Sequence, residues 1–260
     1  MLHFAPNLSM LYTQEQFLDR FARAAAAGFR AVEFLFPYDF TPQQIREQIE
    51  AHGLSVVLFN SSPGDFQKGE RGYCNHPQRR DEFRRTVVQA LEYATYLGVE
   101  RIHLMTGNRV AGLDRATQLE TMLENLAWAA PQAADAGVTL LLEPLNPIDQ
   151  PYYFVNSTAM GIEIVRSLKH NNVRLQYDVY HAQMSEGNLI QTIRTALPYI
   201  GHIQISDVPG RHQPGTGEIN YPAIFATLEQ IGYQGYIGLE YHPDGNTDAS
   251  LAWLPAAQRG

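Results

Sequence analysis

Short runs of aliphatic and β-branched residues alternate with longer amphipathic stretches along the whole chain. The runs fall at about His3–Leu8, Ala31–Leu35, Ser55–Phe59, Arg101–Met105, Thr139–Glu143, Arg174–Asp178, His202–Ile205 and Tyr236–Glu240. Between them, Glu15–Ala27, Pro42–Ala51, Asp81–Tyr96, Ala116–Ala136, Ser157–Lys169, Asn188–Leu197 and Pro222–Ile231 space their apolar residues at helical intervals. Several of these start near a Thr, Ser, Asp or Asn suited to capping, and glycines such as Gly28, Gly53, Gly98, Gly137 and Gly232 separate helix from strand. Such alternation is the pattern of βαβ units and a parallel sheet. No Gly-x-Gly-x-x-Gly follows an early strand, so a dinucleotide-binding sheet lacks its phosphate turn. Eight runs in 260 residues predict an α/β fold, a single (β/α)8 TIM barrel domain spanning residues 1–260. The longest polar stretch, Asn60 to Arg80, follows the third run and is expected to overhang the catalytic mouth.

Composition narrows the function. The hydrophobic fraction of 45% supports a large core, while no apolar run approaches the roughly 18 residues a membrane span needs. Residues Met1 to Met10 lack the basic and apolar regions of a signal peptide, so a cytoplasmic protein without membrane partners is expected. Cys74 is the only cysteine, which excludes an internal disulfide and a thiolate-rich metal site. A formal net charge of −8 disfavours nucleic acid as a partner and favours small-molecule chemistry. Self-association into a homo-oligomer is left open.

Candidate chemistry lies where the strands finish. A charge inside a parallel strand is costly unless it sits at the C-terminal end, where barrels bind ligands. Three predicted strands end in Glu143, Asp178 and Glu240, and Gln204 lies on the strand between the last two. Three converging carboxylates repel one another unless a cation neutralises them. An all-oxygen set with one amide suits Mg²⁺ or Mn²⁺ better than zinc. Metal ligation by Glu143, Asp178, Gln204 and Glu240 is therefore the expectation.

The chain resembles the hydroxypyruvate isomerase family, a branch of the xylose isomerase-like barrels. The resemblance covers essentially the whole length and rests on several motifs. They are Asn7-Leu8-Ser9-Met10, Ala31-Val32-Glu33-Phe34-Leu35-Phe36-Pro37-Tyr38, Leu58-Phe59-Asn60, Leu142-Glu143-Pro144-Leu145-Asn146 and Tyr177-Asp178-Val179-Tyr180-His181. The most specific are Gly215-Thr216-Gly217-Glu218-Ile219-Asn220-Tyr221-Pro222 and Gly232-Tyr233-Gln234-Gly235-Tyr236-Ile237-Gly238-Leu239-Glu240-Tyr241. The resemblance implies the same four metal ligands, with Glu143 and Glu240 as the catalytic pair that moves the proton. It also implies conversion of hydroxypyruvate to tartronate semialdehyde, or reaction of a related acid such as 2-oxotetronate, through an enediolate whose charge the metal stabilises. No organic cofactor is implied. The rival readings are a ketose 3-epimerase, in which the place of Gln204 is typically a histidine, a non-catalytic sugar-acid-binding barrel, and an abasic-site endonuclease, which needs further histidines.

Other residues carry weaker expectations. His181, three residues beyond Asp178 and just past the strand, is placed to contact substrate. Arg211, in the loop after the seventh strand, is expected to bind a substrate carboxylate, with Arg71 and Lys68 as alternatives. Glu33 is either a partner of a metal ligand or a buried structural charge. His103 and His202 read as satisfied structural histidines, Cys74 as an incidental loop thiol, and Phe34, Phe36 and Tyr38 as candidates for the pocket wall.

Overall fold

The computed structural model describes residues 1–260. Its strands are β1 (His3–Pro6), β2 (Ala31–Phe34), β3 (Ser55–Asn60), β4 (Arg101–His103), β5 (Thr139–Leu142), β6 (Val173–Asp178), β7 (Ile200–Ile205) and β8 (Tyr236–Leu239). All are parallel, in the order β1-β8-β7-β6-β5-β4-β3-β2. The circle closes between β1 and β2 through a single bridge, Asn7 to Glu33, where the Leu8 amide donates to the Glu33 carbonyl at 2.7 Å. The expected eight-stranded barrel is thus what the chain forms.

Helices α1 (Arg20–Ala26), α2 (Pro42–His52), α3 (Arg80–Leu97), α4 (Arg115–Asp135), α5 (Thr158–Leu168), α6 (Val179–Ser185), α7 (Leu189–Ala196), α8 (Tyr221–Gln230) and α9 (Thr247–Ser250) surround it. Local sequence sets their ends. Thr41 and Gln44 form a reciprocal capping box with Pro42 in the first turn of α2, and Gly53 ends that helix at φ 61°, a conformation costly for any residue with a Cβ. Besides the short α9, which no periodicity marked, two elements differ from expectation. The first helix begins at Arg20, because Phe17–Asp19 form a tighter 3-10 turn. Helix α6 was not expected; it starts directly after β6, capped by the Asp178 side chain, which accepts from the Tyr180 amide. No helix is long and apolar enough to cross a membrane.

The period-two alternation of the strands sorts their residues into two populations. Outward residues such as Val32, Phe59, Ile102, Leu140, Leu142, Ile203 and Leu239 pack under the helices in one large core. Inward, Ala5, Ala31, Leu58 and Leu141 form a small apolar layer, joined by Val57 where a register shift between β2 and β3 interrupts the alternation. Below it Arg101 crosses the barrel floor to the Gly201 carbonyl on β7, and Arg174 donates to the Ile200 carbonyl on the neighbouring strand. Above it each strand offers one polar side chain at or beside its C-terminal end: Asn7, Glu33, Asn60, His103, Glu143, Asp178, Gln204 and Glu240, all buried. Parallel strands that bury both faces place their ionisable groups where the mouth admits water and ligand.

Candidate active site

The ring at the strand tips divides into two halves. The half built by β6, β7, β8, β1 and β2 is hydrogen-bonded internally. Glu33 accepts from Asn7 Nδ2 at 3.1 Å and from Gln204 Nε2 at 2.7 Å, and its other oxygen lies 2.7 Å from His202 Nε2. Asn7 Nδ2 and Gln204 Nε2 also donate to Glu240 Oε1, at 3.1 and 3.2 Å. Glu33 accepts only, so it turns the amide nitrogen of Gln204 toward β2; the Gln204 oxygen then faces β6, where it accepts from Gln176. His202 is the satisfied structural histidine expected, and Glu33 fills both of its alternatives at once: it pairs with His202 and holds Gln204.

Arg211 joins this half from the β7–α8 loop. Its Nη2 donates to Glu240 Oε2 at 2.5 Å and to Asp178 Oδ2 at 3.2 Å, and its guanidinium lies over the Tyr180 ring, 4.9 Å from the centroid. Its Nε is buried and has no protein partner. The loop that carries it is organised by Asp207, whose carboxylate accepts from the amides of Val208, Gly215, Gly217 and Ile219. The sequence reading passed over Asp207, although the glycines that follow it were a signal for a tight loop.

The other half, on β4 and β5, is unsatisfied. Glu143 Oε1 and both ring nitrogens of His103 are buried without hydrogen-bond partners. His103 Nδ1 approaches Glu143 Oε2 only to 3.4 Å, out of line for a hydrogen bond. This corrects the expectation for His103: it is an inward residue whose polar atoms the protein does not use.

His181, now on α6, is fixed by Asn146. The Asn146 backbone N–H donates to Nδ1 at 3.2 Å and its side-chain nitrogen lies 2.7 Å away, while Nε2 faces Asp178 Oδ2 at 3.7 Å. Ligand atoms of Glu143, Asp178 and His181 lie within 4.8 Å of one another, close enough to hold a metal ion.

Burial shapes the acidities. Glu143 is driven well above the usual carboxylate range by burial and by Glu240 and Asp178, and Asp178 is raised by burial against the pull of Arg211. Glu240 is pushed up to about 8 by burial, again opposed by Arg211. Burial also pushes the His103 imidazole down to about 3 and His181 well below its ordinary value, so both rings are neutral near pH 7.

All six residues singled out from the sequence, Glu143, Asp178, Gln204, Glu240, His181 and Arg211, converge on this mouth. The two alternatives to Arg211 do not: Arg71 stacks on Phe66 and bonds Gln150, and Lys68 pairs with Asp65 on the surface. Cys74 is a core residue whose thiol meets the Met122 carbonyl. Of the aromatics, Phe34 packs in the core against Phe21 and Phe59, while Phe36 meets Phe66 and the Tyr38 hydroxyl donates to the Asn60 carbonyl.

This fold and carboxylate-lined mouth define a xylose isomerase-like barrel, and the family model Xylose isomerase-like TIM barrel matches residues 21–257. The chain is 49% identical to the 2-oxo-tetronate isomerase of Cupriavidus necator, over 98% of each chain. It is 40% identical to the hydroxypyruvate isomerase of Escherichia coli, again over 98% of each. The chain therefore belongs to the hydroxypyruvate isomerase branch of that family. A crystal structure titled AP endonuclease, family 2, from Brucella melitensis superposes with a TM-score of 0.97 at 44% identity, covering 100% of both chains.

Proposed function

We propose that the protein is a metal-dependent isomerase that moves a proton between adjacent carbons of a hydroxylated 2-oxo acid, hydroxypyruvate or 2-oxo-tetronate. The observation that carries this reading is Arg211: a half-buried guanidinium held by Glu240 and Asp178, whose buried Nε is unpartnered beside the carboxylate cluster. A substrate carboxylate satisfies that donor. The names of the relatives at 40–49% identity support the same substrate class.

Glu143, Asp178, Gln204 and Glu240 would hold one Mg²⁺ or Mn²⁺ ion. All four offer oxygen, and Glu143 Oε1 has no partner in the protein. Bound there, the ion supplies a Lewis acid for the charge that develops on the substrate oxygens. His181 stands outside this set. The Asn146 amide donates to Nδ1, so the ring proton sits on Nε2, which faces the site as a donor to a substrate hydroxyl or carbonyl.

Glu143 and Glu240 exchange the proton. One takes it from the hydroxyl-bearing carbon, and a proton is delivered to the former carbonyl carbon. One C–H bond breaks and one forms, while the hydroxyl proton passes from one oxygen to its neighbour, so no external oxidant or organic cofactor enters.

Proton NMR of hydroxypyruvate and of 2-oxo-tetronate with the Mg²⁺- or Mn²⁺-loaded protein in heavy water tests the proposal. Isomerisation with deuterium entering at the reacting carbons is expected. Binding without exchange would leave a sugar-acid-binding barrel, turnover confined to free ketoses would leave an epimerase, and cleavage of an abasic oligonucleotide would favour an abasic-site endonuclease.

A further inference from the structure

Along the mouth the strand tips succeed one another in the order Glu240, Gln204, Asp178, Glu143 and His103, because the sheet runs β8-β7-β6-β5-β4. Arg211 marks the Glu240 end and His103 the other. The two ends differ in kind. At the first, every carboxylate has a donor: Arg211, Asn7 or Gln204 for Glu240, and Arg211 for Asp178. At the second, a fully buried imidazole has both nitrogens unmatched, and the Thr106 hydroxyl, three residues on, is buried and unmatched as well. Buried polar atoms are nearly always hydrogen-bonded, and an imidazole that points into a ligand site with neither nitrogen used is built to meet a ligand group. His103 points inward: on β4 it shares a face with Arg101, which crosses the barrel to Gly201, while Ile102 between them packs outward in the core.

Resting on the substrate class proposed above, we infer that His103 binds a hydroxyl on the carbon beyond the reacting pair, which makes the four-carbon 2-oxo acid a better substrate than the three-carbon one. With its carboxylate at Arg211 and its reacting carbons between Glu240 and Glu143, a three-carbon acid ends at the reacting pair. A four-carbon acid carries one further hydroxymethyl group, directed along the succession of strand tips toward β4. The imidazole offers that hydroxyl a ring nitrogen that no protein group uses. A site with such unmatched groups discriminates against a ligand that lacks the hydroxyl, because binding it leaves them buried and unpaired.

The test is the ratio of kcat/KM for 2-oxo-tetronate to kcat/KM for hydroxypyruvate, measured on the metal-loaded protein and on His103→Phe and His103→Gln. The wild-type ratio is expected to exceed about ten, and His103→Phe to lower it by about tenfold to a hundredfold, the loss appearing in KM for the four-carbon acid. His103→Gln, which restores a donor and an acceptor, is expected to recover part of the ratio and serves alone where His103→Phe does not fold. A wild-type ratio below one, or a ratio unchanged in both variants, overturns the inference; an equal fall on both substrates shows instead that His103 only positions Glu143. Wild-type turnover of neither acid overturns the proposed function, and the inference falls with it.

Discussion

The carboxylate of Glu33 fills the space in front of Gly238: a Cβ on that glycine would stand 2.3 Å from Oε2 and 2.5 Å from Oε1. Glu33 cannot retreat, because Asn7, His202 and Gln204 hold it from three sides. Gly238→Ala is therefore expected to cost about 1–3 kcal/mol of stability, as overpacking in a core does. Urea denaturation measures this, and an unchanged midpoint would show that the network yields freely.

Glu143→Gln and Glu240→Gln each keep shape and an oxygen donor but remove the proton carrier. Each is expected to lower kcat by at least about 10²-fold while circular dichroism stays unchanged. Near-normal turnover in either variant removes that residue from the proton-transfer pair.

Stability of the metal-free protein is expected to depend on pH with a definite sign. Glu240, Glu143 and Asp178 all bind protons more tightly folded than unfolded. Their contribution is then fully present below the ordinary carboxylate range and is lost as pH rises, for Glu240 up to about 8. Each proton so released costs about 1.4 kcal/mol per pH unit across its window. The melting temperature in EDTA should fall from pH 5 toward pH 8, and Mn²⁺ should flatten the slope by favouring the ionised carboxylates. A flat profile in EDTA would contradict the raised pKa of these three carboxyls.

Arg211→Ala removes both the proposed carboxylate anchor and the cation that balances Glu240 and Asp178. For an acidic substrate kcat/KM is expected to fall about tenfold to a hundredfold, with partial recovery in Arg211→Lys. The alkaline shift of Glu240 should also grow, since Arg211 opposes it, and move the pH–rate profile upward. A loss without any movement of the profile would separate Arg211 from Glu240.

The barrel and its metal-ligand candidates were legible because strand periodicity and strand-end carboxylates are local features. Glu143, Asp178 and Glu240 each close an apolar run, and the structure brings them to one mouth. The fates of Glu33 and His103 were not legible. Both sit in short strands buried on both faces, where sequence does not say whether an inward polar atom finds a partner across the barrel. Helix α6 escaped because its cap, Asp178, doubles as the last residue of a strand and left no gap to mark a new element. The pairing of Arg211 with two carboxylates depends on a loop folded around Asp207, a long-range arrangement that no spacing encodes.

Seven of the eight seams of the barrel are laced by paired strands, and the eighth, between β1 and β2, by one bridge with the Asn7–Glu33 side-chain contact above it. Opening fluctuations of the wall concentrate where lacing is sparsest. The side chains that latch this seam are the ones that hold Gln204 and Glu240. A ligand that orders Gln204 and Glu240 is therefore expected to slow hydrogen exchange at the Leu8 amide, which closes this seam on the Glu33 carbonyl.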